Sequence, residues 1–193
     1  VAHNAAKSLA TKKTRNLSQD EIKQAYTNFK NMTPLEKHFV KSVQASGSYN
    51  DLFRDGKQKD FSGNKLSDVA KAALGAAVEH EEGTSIYRWQ NMSDAMVKHI
   101  LSTQDGTVFQ ATGPMCTSYS PTATSGFGKH RVTIRYAKGA KAVESFGSGG
   151  YQSEKEITTL PNARFLILSK KMVHDDIKGG KDRLELEVLM LPP

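Results

Sequence analysis

The first third of the chain alternates apolar and polar residues at helical spacing. In the segment LSQDEIKQAYTNF, apolar side chains recur every three or four residues after Ser18, and Glu21 lies three positions beyond that serine. This is the spacing of a capping box, in which the two side chains satisfy free amides at a helix start. A helix is therefore predicted to begin at Ser18. The segment TPLEKHFV repeats the signal and predicts a second helix over 34–43.

Two more segments extend this helical part. GSYNDLFRDG is typical of a short helix or turn, and the small apolar residues of SDVAKAALGAAVEHEE predict a helix over 67–82 that ends at Gly83. We therefore interpret residues 17–83 as a helical region. Residues 1–16 carry several basic side chains and little apolar content, which predicts a flexible lead-in.

After position 83 the pattern changes to short β-prone runs between glycine-rich turns. SIYRWQ, HRVTIRYA, EITTL, ARFLIL and LELEVLML are the clearest predicted strands, and Ser93 marks the start of a brief helix among them. The predicted fold class is α+β, with N-terminal helices followed by a β-sandwich-like core over 84–193. With 193 residues and 37% hydrophobic content, the chain suits one domain over 1–193.

Composition limits the partners and the kinds of site that this chain is expected to have. The formal charge of +7 favours anionic partners without selecting among them. The single cysteine, Cys116, cannot form an internal disulfide, and the Cys and His spacings resemble no metal motif, so no metal is expected. No apolar run approaches the roughly 20 residues that span a bilayer. We therefore expect a soluble protein with no membrane partner.

Three short segments carry candidate chemistry: IYRWQN around Arg88, CTSYS around Ser118, and YQSEKEITTLP with Glu154 and Glu156. In an extended segment, residues two apart face the same side, about 7 Å from each other. Both glutamates are therefore expected to reach one cleft. The alternative is that alternating Glu and Lys only keep a strand edge soluble.

In this order the three segments resemble the arginine, serine, glutamate class of mono-ADP-ribosyltransferases, which includes bacterial toxins and phage enzymes. The resemblance implies an ADP-ribosyltransferase core that begins near position 84. It also implies a Ser-Thr-Ser type motif on a middle strand. Two frames match that motif, namely Cys116, Thr117 and Ser118 or Ser118, Tyr119 and Ser120. Ser118 belongs to both.

The resemblance also implies a role for each site residue. Glu156 is the expected catalytic carboxylate, which binds the ribose 2′-hydroxyl of NAD+ and opposes the positive charge of the sugar in the transition state. Arg88 is expected to contact the NAD+ phosphate or ribose, and Ser118 to hydrogen-bond and orient Glu156. Glu154 is expected to position or deprotonate an arginine acceptor, and exposed Tyr151 to help recognise that acceptor.

NAD+ is expected to be a consumed substrate, because the chain lacks a G-x-G-x-x-G dinucleotide fingerprint. By resemblance we expect a secreted or injected toxin-like effector that acts in the target-cell cytoplasm, with an acceptor protein and an immunity or inhibitor protein as partners. Transfer to RNA or DNA, NAD glycohydrolysis and a non-catalytic nucleic-acid-binding module stay open as alternatives. Phe127, Trp89 and Tyr119 are candidates to stack on nicotinamide or adenine, but we interpret each as a core residue.

Overall fold

A computed structural model describes residues 14–175 and 179–193 of the chain. Most of the expected lead-in, residues 1–13, lies outside the described residues. The prediction of a flexible lead-in is wrong for its last residues. Arg15 forms a parallel bridge with Thr84, and the Asn16 side chain accepts a hydrogen bond from the Tyr87 hydroxyl. Leu17 is buried.

The described residues form five α-helices: α1 (Gln19–Lys30), α2 (Pro34–Ala45), α3 (Gly47–Arg54), α4 (Leu66–Ala76) and α5 (Asp94–Ser102). The predicted starts of α1 and α2 are confirmed, since Ser18 and Thr33 each accept from the third helical amide and a glutamate completes the capping box. Ser93 caps α5 as predicted. None of the helices described is long and apolar enough to cross a membrane.

The predicted helix over 67–82 is wrong at both ends. The helix starts one residue earlier, at Leu66, and stops at Ala76. Ala77 is extended, and the next two residues form a short strand that pairs with a strand far along the chain. This distant pairing overrides the local helical propensity of the segment. Gly83, with φ of 90°, forms a turn before the next strand instead of a helix end.

One curled, mixed sheet contains all nine strands of the described residues, in the order β1-β6-β7-β4-β2-β5-β9-β8-β3. The strands are β1 (Val78–Glu79), β2 (Ser85–Gln90), β3 (Val108–Ala111), β4 (Cys116–Ser118), β5 (His130–Tyr136), β6 (Lys141–Val143), β7 (Glu156–Thr159), β8 (Ala163–Asp175) and β9 (Lys181–Met190). Only β5 and β9 pair in parallel. The predicted α+β class, with helices before a β-rich core, is confirmed.

The helices pack around one part of this sheet and hold the loops beside β7. In α1, Ala25 is buried and Tyr26 packs edge-on against Phe146, which lies in a short 3-10 turn, Ser145–Ser148. Helices α2, α3 and α4 share a second apolar cluster with the β6 residue Val143. The start of the loop that leads into β7 therefore packs against α1, and the strand before this loop packs against α2, α3 and α4.

Candidate active site

The sheet order brings the three sequence motifs together on neighbouring strands. Ser118 in β4 pairs with Tyr87 in β2 on one side and with Glu156 in β7 on the other. Arg88 follows Tyr87 directly in β2. Residues that lie between 30 and 70 positions apart in the chain thus meet at one place in the sheet.

A cleft of about 240 Å³ opens at this place. Arg88, Glu154, Glu156 and Cys116 line it together. The other lining residues are Trp89, Gln90, Asn91, Thr117, Thr124 and Phe127. Both glutamates reach one cleft, as predicted, but the extended segment predicted to carry them is wrong, because Glu154 lies in a 3-10 turn before β7. Their roles stay predictions.

The Glu156 side chain is buried, with 4% of its residue surface exposed. Its pKa is raised from the usual 4.5 to about 7, mainly by burial and in part by the charge of Glu154. Hydrogen bonds from Thr158 and Ser145 act in the opposite direction. Near neutral pH this carboxyl group therefore exists in both charge states. Such a group is common at catalytic sites, where burial tunes a carboxylate for its task.

The hydroxyl groups that hydrogen-bond Glu156 differ from the one expected. Ser118 lies directly across the sheet from Glu156, but its hydroxyl accepts a hydrogen bond from the Ser120 amide, at 3.1 Å. The Thr158 hydroxyl donates to Glu156 Oε1 at 3.1 Å. The first of the two motif frames, Cys116 to Ser118, forms strand β4, and Ser120 lies beyond it.

Arg88 is held by neutral acceptors. Its Nε donates to Gln90 Oε1 and its Nη1 to the Cys116 carbonyl, both at 2.8 Å. Burial lowers the pKa of Arg88, and the positive charge of Arg54 lowers it further, while Cys116 acts in the opposite direction. A half-buried guanidinium without a carboxylate bonded to it is suited to bind an anionic group from outside.

Arg54, at the end of α3, was not singled out from the sequence. It lies close enough to Arg88 for the two charges to repel, and it hydrogen-bonds Asp51 at 2.5 Å. Gly113 passes so near that an added Cβ would lie 2.8 Å from Arg54 Cγ. The sequence gives no signal for this contact, because the helix of Arg54 and the strand of Arg88 are separated in the chain by another helix and a strand.

The turn before β7 presents Glu154 and Tyr151. A single 3-10 turn, Gln152–Glu154, is flanked by Tyr151 and Lys155, which both adopt left-handed backbone conformations with φ of 47° and 49°. Such φ values are strained for residues other than glycine and occur often at functional turns. Tyr151 is 60% exposed, as predicted. Glu154 is half-buried at the cleft rim.

Cys116 shows no sign of a nucleophilic role. Burial raises the pKa of its thiol to about 12, the charge of Glu156 adds to this effect, and a hydrogen bond from Asn50 at 3.6 Å opposes it. A thiol with such a pKa stays protonated near neutral pH, whereas the thiolate is the reactive form. The described residues contain no group of three His, Cys, Asp or Glu side chains placed to hold a metal ion.

The aromatic residues near the cleft behave differently from one another. Trp89 is buried, as predicted, and Tyr119 packs against Phe146 with ring centroids 4.8 Å apart. The interpretation of Phe127 as core is wrong, because its side chain is 62% exposed and lines the cleft. It lies in a 3-10 turn, Ser125–Phe127, that bends it away from the core.

A larger apolar cavity, of about 350 Å³, lies between α5 and the sheet and reaches the cleft at Arg88 and Gln90. Methionine and aliphatic side chains form most of its wall. No carboxylate lines it. The groups that can do bond-breaking chemistry lie in the smaller cleft.

Comparison with solved structures shows what this arrangement resembles. The toxin Plx2a of Paenibacillus larvae, an ADP-ribosyltransferase, superposes with a TM-score of 0.72 and 17% identity, over 99% of this chain and 97% of the toxin. The Clostridium limosum C3 exoenzyme superposes with a TM-score of 0.70 and 10% identity, over 94% of this chain and 99% of the exoenzyme. This chain has the fold of ADP-ribosyltransferase toxins.

The predicted resemblance to this class is thus confirmed for the fold. A third match, C3stau2 of S. aureus, was solved with NAD and has a TM-score of 0.64, 12% identity and coverage of 94% of this chain and 100% of that one. No protein-family description matches the sequence, and a comparison with curated proteins finds no relative. At these identities the shared feature is the fold, so the activity is argued from the site itself.

Proposed function

We propose that this protein is a mono-ADP-ribosyltransferase that cleaves NAD+ and transfers ADP-ribose to a macromolecular acceptor. The observation that carries the proposal is the buried Glu156 carboxyl group, with a pKa of about 7, in a cleft that it shares with Arg88. The fold of ADP-ribosyltransferase toxins supports it independently.

The proposed reaction breaks the bond between the nicotinamide nitrogen and C1 of its ribose. The bonding electron pair leaves with nicotinamide, and the sugar carries positive charge in an oxocarbenium-like transition state. Ionised Glu156 stabilises that charge and accepts a hydrogen bond from the ribose 2′-hydroxyl. A charge-assisted hydrogen bond contributes about 1.5–3 kcal/mol, and each 1.36 kcal/mol gained only in the transition state is about tenfold in rate.

Arg88 and Arg54 supply the charge for NAD+ binding. Burial is the main cause of the lowered pKa of Arg88, and the positive charge of Arg54 lowers it further, so the two guanidinium groups repel each other. A diphosphate between them relieves this repulsion and accepts hydrogen bonds from both planar forks. Exposed Phe127, which lines the cleft, offers a flat ring to a base or to nicotinamide.

The acceptor is proposed to be an arginine side chain of a target protein, delivered to the rim that carries Glu154 and Tyr151. Glu154 takes a proton from the acceptor guanidinium as its nitrogen forms the new bond to C1 of the ribose. The exposed Tyr151 ring contacts the target. The likeness of its fold to ADP-ribosyltransferase toxins supports the further proposal that the protein acts as a toxin-like effector in the cytoplasm of a target cell, with an immunity or inhibitor protein as a partner.

The test incubates the purified protein with NAD+ labelled in its adenylate part and a cell lysate, with Glu156→Gln and Glu154→Gln variants beside it. Protease-sensitive label is expected with the unaltered protein. Glu156→Gln should lose both transfer and NAD+ cleavage. Glu154→Gln should lose transfer more than cleavage, because only the acceptor step needs its carboxylate.

The controls separate the alternatives. Nuclease-sensitive label would move the acceptor to RNA or DNA, and nicotinamide release without label would indicate a glycohydrolase. Equal NAD+ turnover by the protein and its Glu156→Gln variant would overturn the proposed mechanism. Mass spectrometry of the labelled peptides would identify the acceptor residue type.

A further inference from the structure

Two fully buried hydroxyl groups, those of Thr158 and Ser145, lie beside the Glu156 carboxylate. Thr158 Oγ1 donates to Glu156 Oε1 at 3.1 Å, and Ser145 Oγ lies 2.6 Å from Thr158 Oγ1. Both side chains have no exposed surface. The Ser145 side chain also hydrogen-bonds the Glu156 carboxyl group. Ser145, Thr158 and Glu156 therefore form one buried hydrogen-bond cluster.

Thr158 and Ser145 are both held in place by neighbouring strands and helices. Thr158 is opposite Cys116 in β4 and opposite Val143 in β6, so its backbone is fixed on both sides. The Ser145 carbonyl accepts from Gln44 Nε2, in α2, at 2.9 Å. Side chains held in this way lose little further entropy when they orient a neighbour.

The serine motif on β4 does not supply the hydrogen bonds to the Glu156 carboxylate. The Ser118 hydroxyl accepts from the Ser120 amide at 3.1 Å, and among the described residues the groups that hydrogen-bond the Glu156 carboxyl group are Thr158 and Ser145, not Ser118. Cys116 occupies the other position of β4 that faces this side, and a thiol is only a weak hydrogen-bond donor. Hydroxyl groups on β7 and on the turn before it supply the hydrogen bonds instead.

We propose that Thr158 and Ser145, anchored by Gln44, are the positioning residues that hold the Glu156 carboxylate ionised and aimed into the cleft. This inference rests on the proposed function, in which ionised Glu156 opposes the charge on the ribose. Neither hydroxyl contacts the cleft, so both act through Glu156. The pair thus takes over the orienting role expected of Ser118.

The charged and titratable groups around Glu156 determine how a loss of these hydroxyls acts. Glu154, on the turn before β7, raises the pKa of Glu156. Arg88 on β2 and the Cys116 thiol on β4 line the same cleft. Burial is the main cause of the raised pKa, and the two hydroxyls oppose it. Removal of a hydroxyl therefore raises the pKa further and lowers the ionised fraction near neutral pH.

The test compares Thr158→Val, which keeps the shape and removes the hydroxyl, with Thr158→Ser, which keeps the hydroxyl. Nicotinamide release from NAD+ is measured from pH 5 to 9, with kcat and KM determined separately. In Thr158→Val the acid limb should move up by about one pH unit and kcat should fall about fivefold at pH 7, with KM changed less than twofold. Thr158→Ser should restore the profile.

A merely structural role would lower activity equally at every pH and would leave Thr158→Ser no better than Thr158→Val, and this result would overturn the proposal. If Thr158→Val does not fold, Ser145→Ala leaves the strand unchanged and should shift the acid limb in the same direction. No shift in that variant would count against the proposal equally.

A direct titration keeps the inference separate from the enzyme activity. In protein labelled with ¹³C at glutamate carboxyl groups, the Glu156 signal is assigned by its absence in Glu156→Gln and followed against pH. A higher midpoint in Ser145→Ala or Thr158→Val supports positioning even if the protein does not turn over NAD+. Equal midpoints in the variants and the unaltered protein would refute it, whatever the activity.

Discussion

Glu156 combines two properties that oppose each other. Its burial keeps water away from the proposed reaction, but burial also disfavours the charged form that the reaction needs. The pKa of about 7 is the net result of burial, which raises it, and of the hydroxyl donors, which lower it. An ionised group in such a place destabilises the fold, and this cost can be measured.

A substitution of Glu156→Gln is expected to stabilise the protein at high pH. The folded pKa of about 7 exceeds the usual 4.5, so the contribution of Glu156 to stability is fully present below about pH 4.5 and is lost as pH rises through 7. The shift corresponds to about 3 kcal/mol. Thermal unfolding should show a higher Tm for the variant at pH 8 and equal Tm values at pH 4.5. A lower Tm at pH 8 would contradict a charge penalty at this site.

Arg54 is expected to contribute to NAD+ affinity although it lies on a helix outside the sheet. Arg54→Met should weaken NAD+ binding about tenfold, equivalent to about 1.4 kcal/mol, because one of two guanidinium groups near the diphosphate is lost. Lys57→Met, which removes a nearby exposed charge, serves as the control and should change the Kd less than twofold. Isothermal titration calorimetry gives both values. Equal Kd values for the two variants would exclude a specific role.

At the scale of elements, a buried imidazole ties the first helix to the sheet. His80 Nδ1 lies 2.8 Å from a Glu21 oxygen in α1, and Nε2 lies 3.1 Å from a Glu144 oxygen beside β6. The side chains of His80 and Glu144 are 4% and 3% exposed. Burial lowers the pKa of His80, but the two carboxylates outweigh it, so the net change is upward from 6.5. This charged cluster occupies the segment where a helix was predicted.

The pH dependence of stability should report on this cluster. The His80 charge contributes stability that is complete below about pH 6.5 and is lost as pH rises through its raised folded pKa. His80→Gln should destabilise the protein by about 3 kcal/mol at pH 6, because Glu144 stays buried without its cationic partner. Urea unfolding at pH 6 and at pH 10 should show that the difference shrinks at the higher pH. A difference independent of pH would mean that packing, and not charge, accounts for the effect.

For the whole molecule, the sequence predicted features that depend on local spacing. The capping boxes at Ser18 and Thr33 and the order of helices before strands are such features. The end of α4 could not be predicted, because β1 forms only when it meets β6, about 60 residues later. Nothing in the sequence of the alanine-rich segment identifies β6 as the partner of β1.

In the candidate site, too, some features could be predicted from the sequence and others could not. The order of Arg88, Ser118 and the two glutamates was sufficient to predict that they meet, since the resemblance already implied their strands. Arg54 escaped prediction because its contact with the site depends on helix packing. The Thr158 hydroxyl escaped because alternation along β7 places it on the face of Glu156 but does not show that it lies within hydrogen-bond distance of the carboxyl group.

The central claim is that this cleft cleaves NAD+ with Glu156 as its carboxylate, and initial rates of nicotinamide release test it most directly. The purified protein is compared with Glu156→Gln and with Glu82→Gln, an exposed glutamate outside the cleft, at pH 8 without acceptor. We predict a rate that falls at least about a hundredfold in Glu156→Gln, as expected for the loss of about 3 kcal/mol of transition-state stabilisation, and is unchanged in Glu82→Gln. Equal rates in all three proteins would contradict the claim.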